Sequence, residues 1–211
     1  MRRPQSSLWS ILPLTCLLQV TALGAEAEDL HERNADLVAA LKSSPQSAIR
    51  HLRQQYPKDP EANRMIGLLE NIGHPFDYSG TAFDGRLARP ADFRGKVVLI
   101  EVCFRHCGGC IAELPRLRRL IEKYEQQGLA VVYLSLDRSL VDAKEMVTRF
   151  NLREPVLCDT RGAEGDLARR LFVSYAPRGI LFDRQGNLRV LDCLRGGRSL
   201  ETLLPQLLAE E

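Results

Sequence analysis

Residues 97–110 read Val-Val-Leu-Ile-Glu-Val-Cys-Phe-Arg-His-Cys-Gly-Gly-Cys, joining an apolar run broken only by Glu101 to two cysteines spaced two residues apart. A run of this kind is a strand buried on both faces, as in a sheet covered by helices. Directly after it, Leu114, Leu117, Ile121 and Tyr124 recur at helical spacing, and Gly128 supplies a stop. A buried strand that feeds straight into a helix commits the chain to layered α/β architecture.

The same alternation continues downstream. A second buried strand is predicted over 130–136, ended by Asp137, then a helix over 142–150, a short strand over 155–157 and a helix over 166–172. Strands at 180–182 and 188–194 flank Asp183-Arg184-Gln185-Gly186-Asn187, a hairpin turn. Ser199 is the expected cap of a last helix to about 208, with Leu200, Leu203, Leu204 and Leu207 on its apolar side. The sum is a mixed sheet with helices on both faces. Residues 25–71 read instead as short helices: Leu30, Leu37, Val38 and Leu41 share one face, and Asp59 followed by Pro60 starts a helix carrying Met65, Ile66, Leu68 and Leu69.

Residues 1–24 have a different texture. Arg2 and Arg3 precede an apolar run of about 13 residues over 8–20, followed by the small residues Ala22, Gly24, Ala25 and Ala27. This is the layout of a secretory signal peptide, and the run is short of the roughly 20 apolar residues a spanning helix needs. Cys16 follows Pro13, Leu14 and Thr15, a poor fit to a lipid-attachment site. The expected organisation is a signal peptide over 1–24, a helical segment over 25–71 and one α/β domain over 72–211, with no stable membrane span after cleavage and a periplasmic location. Removing two arginines takes the formal charge from +2 to 2 − 2 = 0. A neutral chain without long basic blocks is not a nucleic-acid binder.

Of the six cysteines, Cys16 leaves with the signal, so Cys103, Cys107, Cys110, Cys158 and Cys193 remain, an odd number. In an oxidising compartment thiol chemistry is the first reading to weigh. Disulfide exchange needs one ionised thiol that attacks and a second that displaces the product. At a helix N-terminus Cys107 gains unpaired N–H groups and the positive dipole end, which lower a thiol's pKa, and Cys110 lies one turn later as the resolving thiol. The competing reading is half of a zinc site. That would need a second such pair or a pair of histidines, and Cys158, Cys193 and the four histidines have no ligand spacing. No metal or cofactor is implied.

With these residues in view, the chain over about 72–208 resembles the TlpA-like branch of the thioredoxin family. Gly73-His74-Pro75-Phe76 with Asp84-Gly85, and Phe93-Arg94-Gly95-Lys96 leading into the strand, are similar to that branch's opening signatures. The resemblance implies a thioredoxin-like fold and protein disulfide reductase activity on exported protein thiols or disulfides, with a separate electron donor or acceptor. It places Cys107 and Cys110 on the redox pair, Glu113 on a proton-exchanging carboxylate, Pro115 on a helix proline and Pro177 on a cis-proline facing the cysteines.

Several residues depart from that pattern. Cys103 and His106 stand where the branch commonly has tryptophan, Gly108-Gly109 lacks the usual proline, and Arg178 replaces a common threonine after Pro177. His106 and Arg105 are read as donors or positive charge beside the thiolate, or as solvent-facing, and Arg178 as a contact for an acidic substrate or for solvent. Cys103 with Cys107 makes a CxxxC resembling copper-delivery relatives, so a copper-binding module using Cys103, Cys107 and His106 is the alternative function. The bland reading of Cys103 is a small buried side chain. A peroxidase is disfavoured because Phe104 occupies the place of the threonine in Thr-x-x-Cys. Pairing of Cys158 with Cys193 is left open.

Overall fold

β3 (Val97–Cys103) is the centre of the molecule, because every one of its residues is buried and both of its edges are paired. The computed structural model describes residues 44–194 and 200–210; the signal-peptide reading, the helical face of 30–41 and the Ser199 cap lie outside the described residues. On one side β3 runs parallel to β4 (Leu129–Ser135), in register from Val97↔Leu129 to Cys103↔Ser135. On the other it is antiparallel to β6 (Arg178–Phe182), with Glu101 opposite Gly179 and Val102 opposite Arg178. β5 (Val156–Leu157) and β7 (Leu188–Val190) close the edges, giving the order β5-β4-β3-β6-β7. A strand in that position has no solvent face, which is why its sequence does not alternate.

α3 (Gly108–Tyr124) joins β3 to β4, and α4 (Leu140–Phe150) joins β4 to β5. Each crossover moves one strand in the same direction, so right-handed connections put both helices on one face. The packing agrees: Leu99, Cys103, Val131, Tyr133, Val156 and Leu181 of the sheet share a buried cluster with Leu117, Leu120, Met146 and Phe150. Leu200, Leu203, Leu204 and Leu207 of α6 (Leu200–Ala209) complete that layer. Phe182 points to the opposite face, where its ring lies 6.0 Å from Phe76 and 4.5 Å from Tyr78 between centroids.

Caps decide where helices begin. Ser139 accepts from the Asp142 backbone N–H at 3.0 Å, so α4 starts two residues before the acidic start read from the sequence. Ser44 caps α1 (Pro45–Gln55), and Asp59 caps α2 (Pro60–Glu70) by accepting from Ala62 N–H at 2.8 Å, with Pro60 in the first turn as expected. The chain leaving α2 is fastened to the β7 edge by Gly73 N–H to Leu188 O at 2.7 Å and Phe76 N–H to Gly186 O at 3.1 Å.

Other elements differ from the sequence reading as well. β7 stops at Val190 rather than 194, because Asp192 turns the chain out of the sheet: its carboxylate accepts from Tyr175 OH at 2.6 Å and Leu194 N–H at 3.2 Å. α5 (Asp166–Arg170) is shorter than the expected 166–172, and the chain reverses at Phe172, whose φ is 52°. A small hairpin of β1 (Gly80–Thr81) and β2 (Leu87–Ala88) was not expected, since two-residue strands carry no periodicity.

Candidate active site

β3 ends at Cys103, three residues pass over the rim of the sheet, and Cys107 arrives as the N-cap of α3. Its Sγ accepts a hydrogen bond from Cys110 N–H at 3.1 Å, the interaction that a cap makes with the first turn. Cys107 and Cys110 form a disulfide with S–S 2.00 Å. Cys110 Sγ lies 3.8 Å from Val102 O, so the resolving sulfur rests on the end of the central strand. Both cysteines are buried, while Gly108 and Gly109 beside them are exposed and open the helix start to an approaching main chain. Pro115 is accommodated inside α3 without ending it.

Pro177 meets this turn from the other side. The Ala176-Pro177 bond is cis, as the resemblance implied, and a Cβ on Gly109 would sit 2.9 Å from Pro177 Cδ. The two residues are therefore in direct contact. β6 starts immediately afterwards, so the loop carrying Pro177 and the strand beneath Cys110 are neighbours in the sheet.

Glu113 is tied to the helix surface. Its carboxylate accepts from Arg116 at 2.9 Å, and the same guanidinium reaches both oxygens of Glu201 on α6 at 2.7 Å. Among the described residues the most deeply buried carboxylate is Glu101, 3% exposed, whose Oε2 has no hydrogen-bond partner there. By strand alternation it shares the face of Leu99 and Cys103, the one that α3 covers. Burial holds its carboxyl well above the ordinary value, and the negative charges of Glu113 and Asp192 push the same way against Arg116. Sequence reasoning missed this group, although a single acid inside a run read as buried on both faces was the available signal.

The remaining residues singled out from sequence fall into distinct surroundings. Cys103 is 1% exposed, and burial followed by the charges of Glu101 and Asp137 pushes its thiol well up, so it is a neutral core thiol. Among the described residues no group of three or more His, Cys, Asp or Glu comes together in a way that would hold a metal ion. His106 accepts from Arg105 Nε–H at 2.9 Å, and Arg105 itself is balanced by Asp142 at 2.8 Å and Glu145 at 2.6 Å. Its charge is thus spent on α4 rather than on the thiolate.

Arg178 corrects the expectation of a residue facing substrate or solvent: it is 0% exposed and its fork is directed inward to main-chain carbonyls. Cys158 and Cys193 are free and buried. They do not pair: the Cys158 N–H donates to Thr81 O at 3.0 Å, past the β5 edge, and the Cys193 N–H to Gly179 O at 2.9 Å, on β6. Cys193 instead fills the space over Gly179, where a Cβ would lie 2.7 Å from its Sγ.

The pattern of known proteins matches this geometry. The model of the AhpC/TSA family covers residues 72–191, more than half of the chain. Among curated proteins, the thiol:disulfide interchange protein DsbE of Pseudomonas aeruginosa is 31% identical over 147 residues, covering 66% of this chain and 78% of that protein. The thiol-disulfide oxidoreductase ResA of Bacillus thuringiensis subsp. konkukian is 27% identical over 123 residues, covering 58% of this chain and 68% of that protein. Among solved structures, the thioredoxin domain of a thiol-disulfide oxidoreductase from Bacteroides vulgatus superposes with a TM-score of 0.53 at 23% identity, covering 61% of this chain and 91% of that one. A family match spanning the sheet, the cysteine-bearing helix and the Pro177 loop places the chain in the AhpC/TSA family, with a thioredoxin-like fold.

Proposed function

We propose that this chain is an exported thiol-disulfide oxidoreductase that exchanges disulfides with other exported proteins through Cys107 and Cys110. The observation that carries the reading is the Cys107–Cys110 disulfide at the N-terminus of α3, with Cys107 Sγ accepting Cys110 N–H and Pro177 packed against the same turn. The names of the relatives point the same way. Export is supported by the sequence of residues 1–24; among the described residues no helix is long and apolar enough to cross a membrane.

In the reductive direction the Cys107 thiolate attacks one sulfur of a substrate disulfide. The other substrate sulfur leaves as a thiolate and takes a proton, and Cys107 is left in a mixed disulfide. Cys110 then loses its proton and attacks Cys107 Sγ, which releases the second substrate thiolate and closes the intramolecular disulfide. Two electrons have passed to the substrate, and a separate dithiol partner restores the pair by the same steps. Run backwards, the sequence oxidises a substrate dithiol. The Cys107 N-cap position favours the attacking thiolate, and Glu101, buried on the face beneath α3, is the group suited to take the proton of Cys110 in molecules where it has given up its own.

The test is a trapping experiment with disulfide-bonded insulin. Reduced Cys110→Ser is expected to accumulate a mixed disulfide with insulin, stable without reductant and removed by dithiothreitol. Cys107→Ser should form none and lose insulin reduction entirely. Absence of the adduct from folded Cys110→Ser would refute the mechanism. Recovery of a mature chain lacking about the first 24 residues from an extracytoplasmic fraction checks export separately.

A further inference from the structure

Arg178 is a completely buried cation, and among the described residues none of its hydrogen bonds goes to a carboxylate. Its Nε donates to Leu191 O at 2.7 Å, and its two terminal nitrogens donate to Phe172 O at 2.5 Å and Leu171 O at 3.2 Å. Burying a guanidinium is costly unless its donors are matched, and an apolar residue would fill the same volume without that cost. What the fork supplies is connection. It joins the carbonyls at the C-terminal end of α5, where helical carbonyls lack partners, to the carbonyl just past β7.

Phe172 at one end and Arg178 itself at the other enclose the segment 173–177. Phe172 reaches its place with a left-handed φ of 52°, an uncommon conformation for a non-glycine residue, and its carbonyl is one of the three held. Tyr175 lies with its ring 5.7 Å from the guanidinium carbon and donates its hydroxyl to Asp192 at 2.6 Å, tying the loop to the same exit from β7. Pro177, the residue before Arg178, abuts Gly109. Val102, the strand partner of Arg178, carries the carbonyl on which Cys110 Sγ rests.

We infer that Arg178 is a positioning residue: its buried fork fixes the Tyr175-Ala176-Pro177 main chain over the cysteine pair as a docking edge for an extended polypeptide that carries the reacting disulfide. This deepens the exchange reading and rests on it. A protein substrate needs the edge, since its main chain must lie along the loop to bring one sulfur in line with Cys107. A small aromatic disulfide needs only access to the sulfur. Arg178 touches neither substrate.

The experiment compares Arg178→Lys and Arg178→Gln with the parent on two substrates, insulin and 5,5′-dithiobis(2-nitrobenzoate). With insulin, kcat/KM is expected to fall at least about tenfold, mainly through KM, while the rate with the small disulfide stays within about twofold. Lysine, which restores the charge and one donor, should recover part of the loss. Equal losses on both substrates in folded protein, or no loss on either, would overturn the inference. Should Arg178→Gln fail to fold, Arg178→Lys decides the matter, and Tyr175→Phe, which removes the tie to Asp192, should give a smaller split in the same direction. Amide hydrogen exchange over 173–177 in the oxidised protein gives a readout without turnover. Faster exchange in Arg178→Lys supports the positioning role, and unchanged exchange counts against it. A parent protein that leaves insulin unreduced would sink the enzymatic reading, whereas the exchange result still judges the clamp.

Discussion

At pH 7 the Glu101→Gln variant is expected to unfold at a higher temperature than the parent, with the advantage shrinking as the pH is lowered towards 4. The sign follows from where the proton is held. Burial raises the folded-state pKa of Glu101 well above 4.5, so the native chain keeps a proton over a range in which the unfolded chain has lost it. Stability of the parent therefore falls as pH rises from the unfolded value towards the folded one, with a limiting slope of about 1.4 kcal/mol per pH unit. Below the unfolded value both states are protonated and the penalty is gone. Glutamine has the size and neutrality of the protonated acid, so the slope disappears with it. Thermal melts between pH 4 and 8 check this, and a variant that keeps the parent's slope would show that the buried proton sits elsewhere.

The same substitution should slow catalysis. Glutamine cannot accept the Cys110 proton, and loss of a positioned general base typically costs about 10²-fold or more. A more stable and slower protein is the expected combination, because a desolvated carboxylate is retained for chemistry and not for stability. Insulin reduction by Glu101→Gln, measured against pH, separates this from a packing defect: the deficit should narrow at high pH, where hydroxide deprotonates Cys110 without help.

The sheet and the cysteine turn were legible because burial and chemistry coincide there. The run from Val97, the helical spacing after Cys110 and the glycine at 128 each report local structure, and β3, α3 and β4 lie where they indicate. Asp59 with Pro60 was equally readable, since a cap is a local interaction. The residues that were misplaced depend on what lies across the fold. Glu113 was read as a proton-exchanging carboxylate by its place after Cys110; it is half-buried, and its partner Arg116 also holds Glu201, which is far away in the chain and gives no local signal. Arg178 was read as a contact for an acidic substrate or for solvent, and the carbonyls that hold it buried come from Leu171, Phe172 and Leu191. The end of β7 was overestimated for the same kind of reason, since Asp192 is recruited by Tyr175.

Gly179→Ala should cost about 2 kcal/mol of stability, although alanine is the better strand residue by roughly 0.5–1 kcal/mol. Gly179 sits in β6 opposite Glu101, and its missing side chain leaves the space that Cys193 occupies. A Cβ there would lie 2.7 Å from Cys193 Sγ, 3.1 Å from Leu194 Cγ and 3.3 Å from Leu99 Cδ1. The sulfur cannot swing aside cheaply: Cys193 is 1% exposed and its backbone N–H is held by Gly179 O at 2.9 Å. Overpacking therefore outweighs the propensity gain. Cys193→Ala alone removes a buried sulfur and should cost about 1 kcal/mol. In the double variant the closest overlap is gone and the new methyl fills part of the vacated space, so its stability should exceed the additive expectation by at least about 1 kcal/mol. Denaturant unfolding of the four proteins measures the coupling. Additivity would mean that the contact between Gly179 and Cys193 does not set the packing beside Glu101, and that the strand yields by shifting its backbone instead.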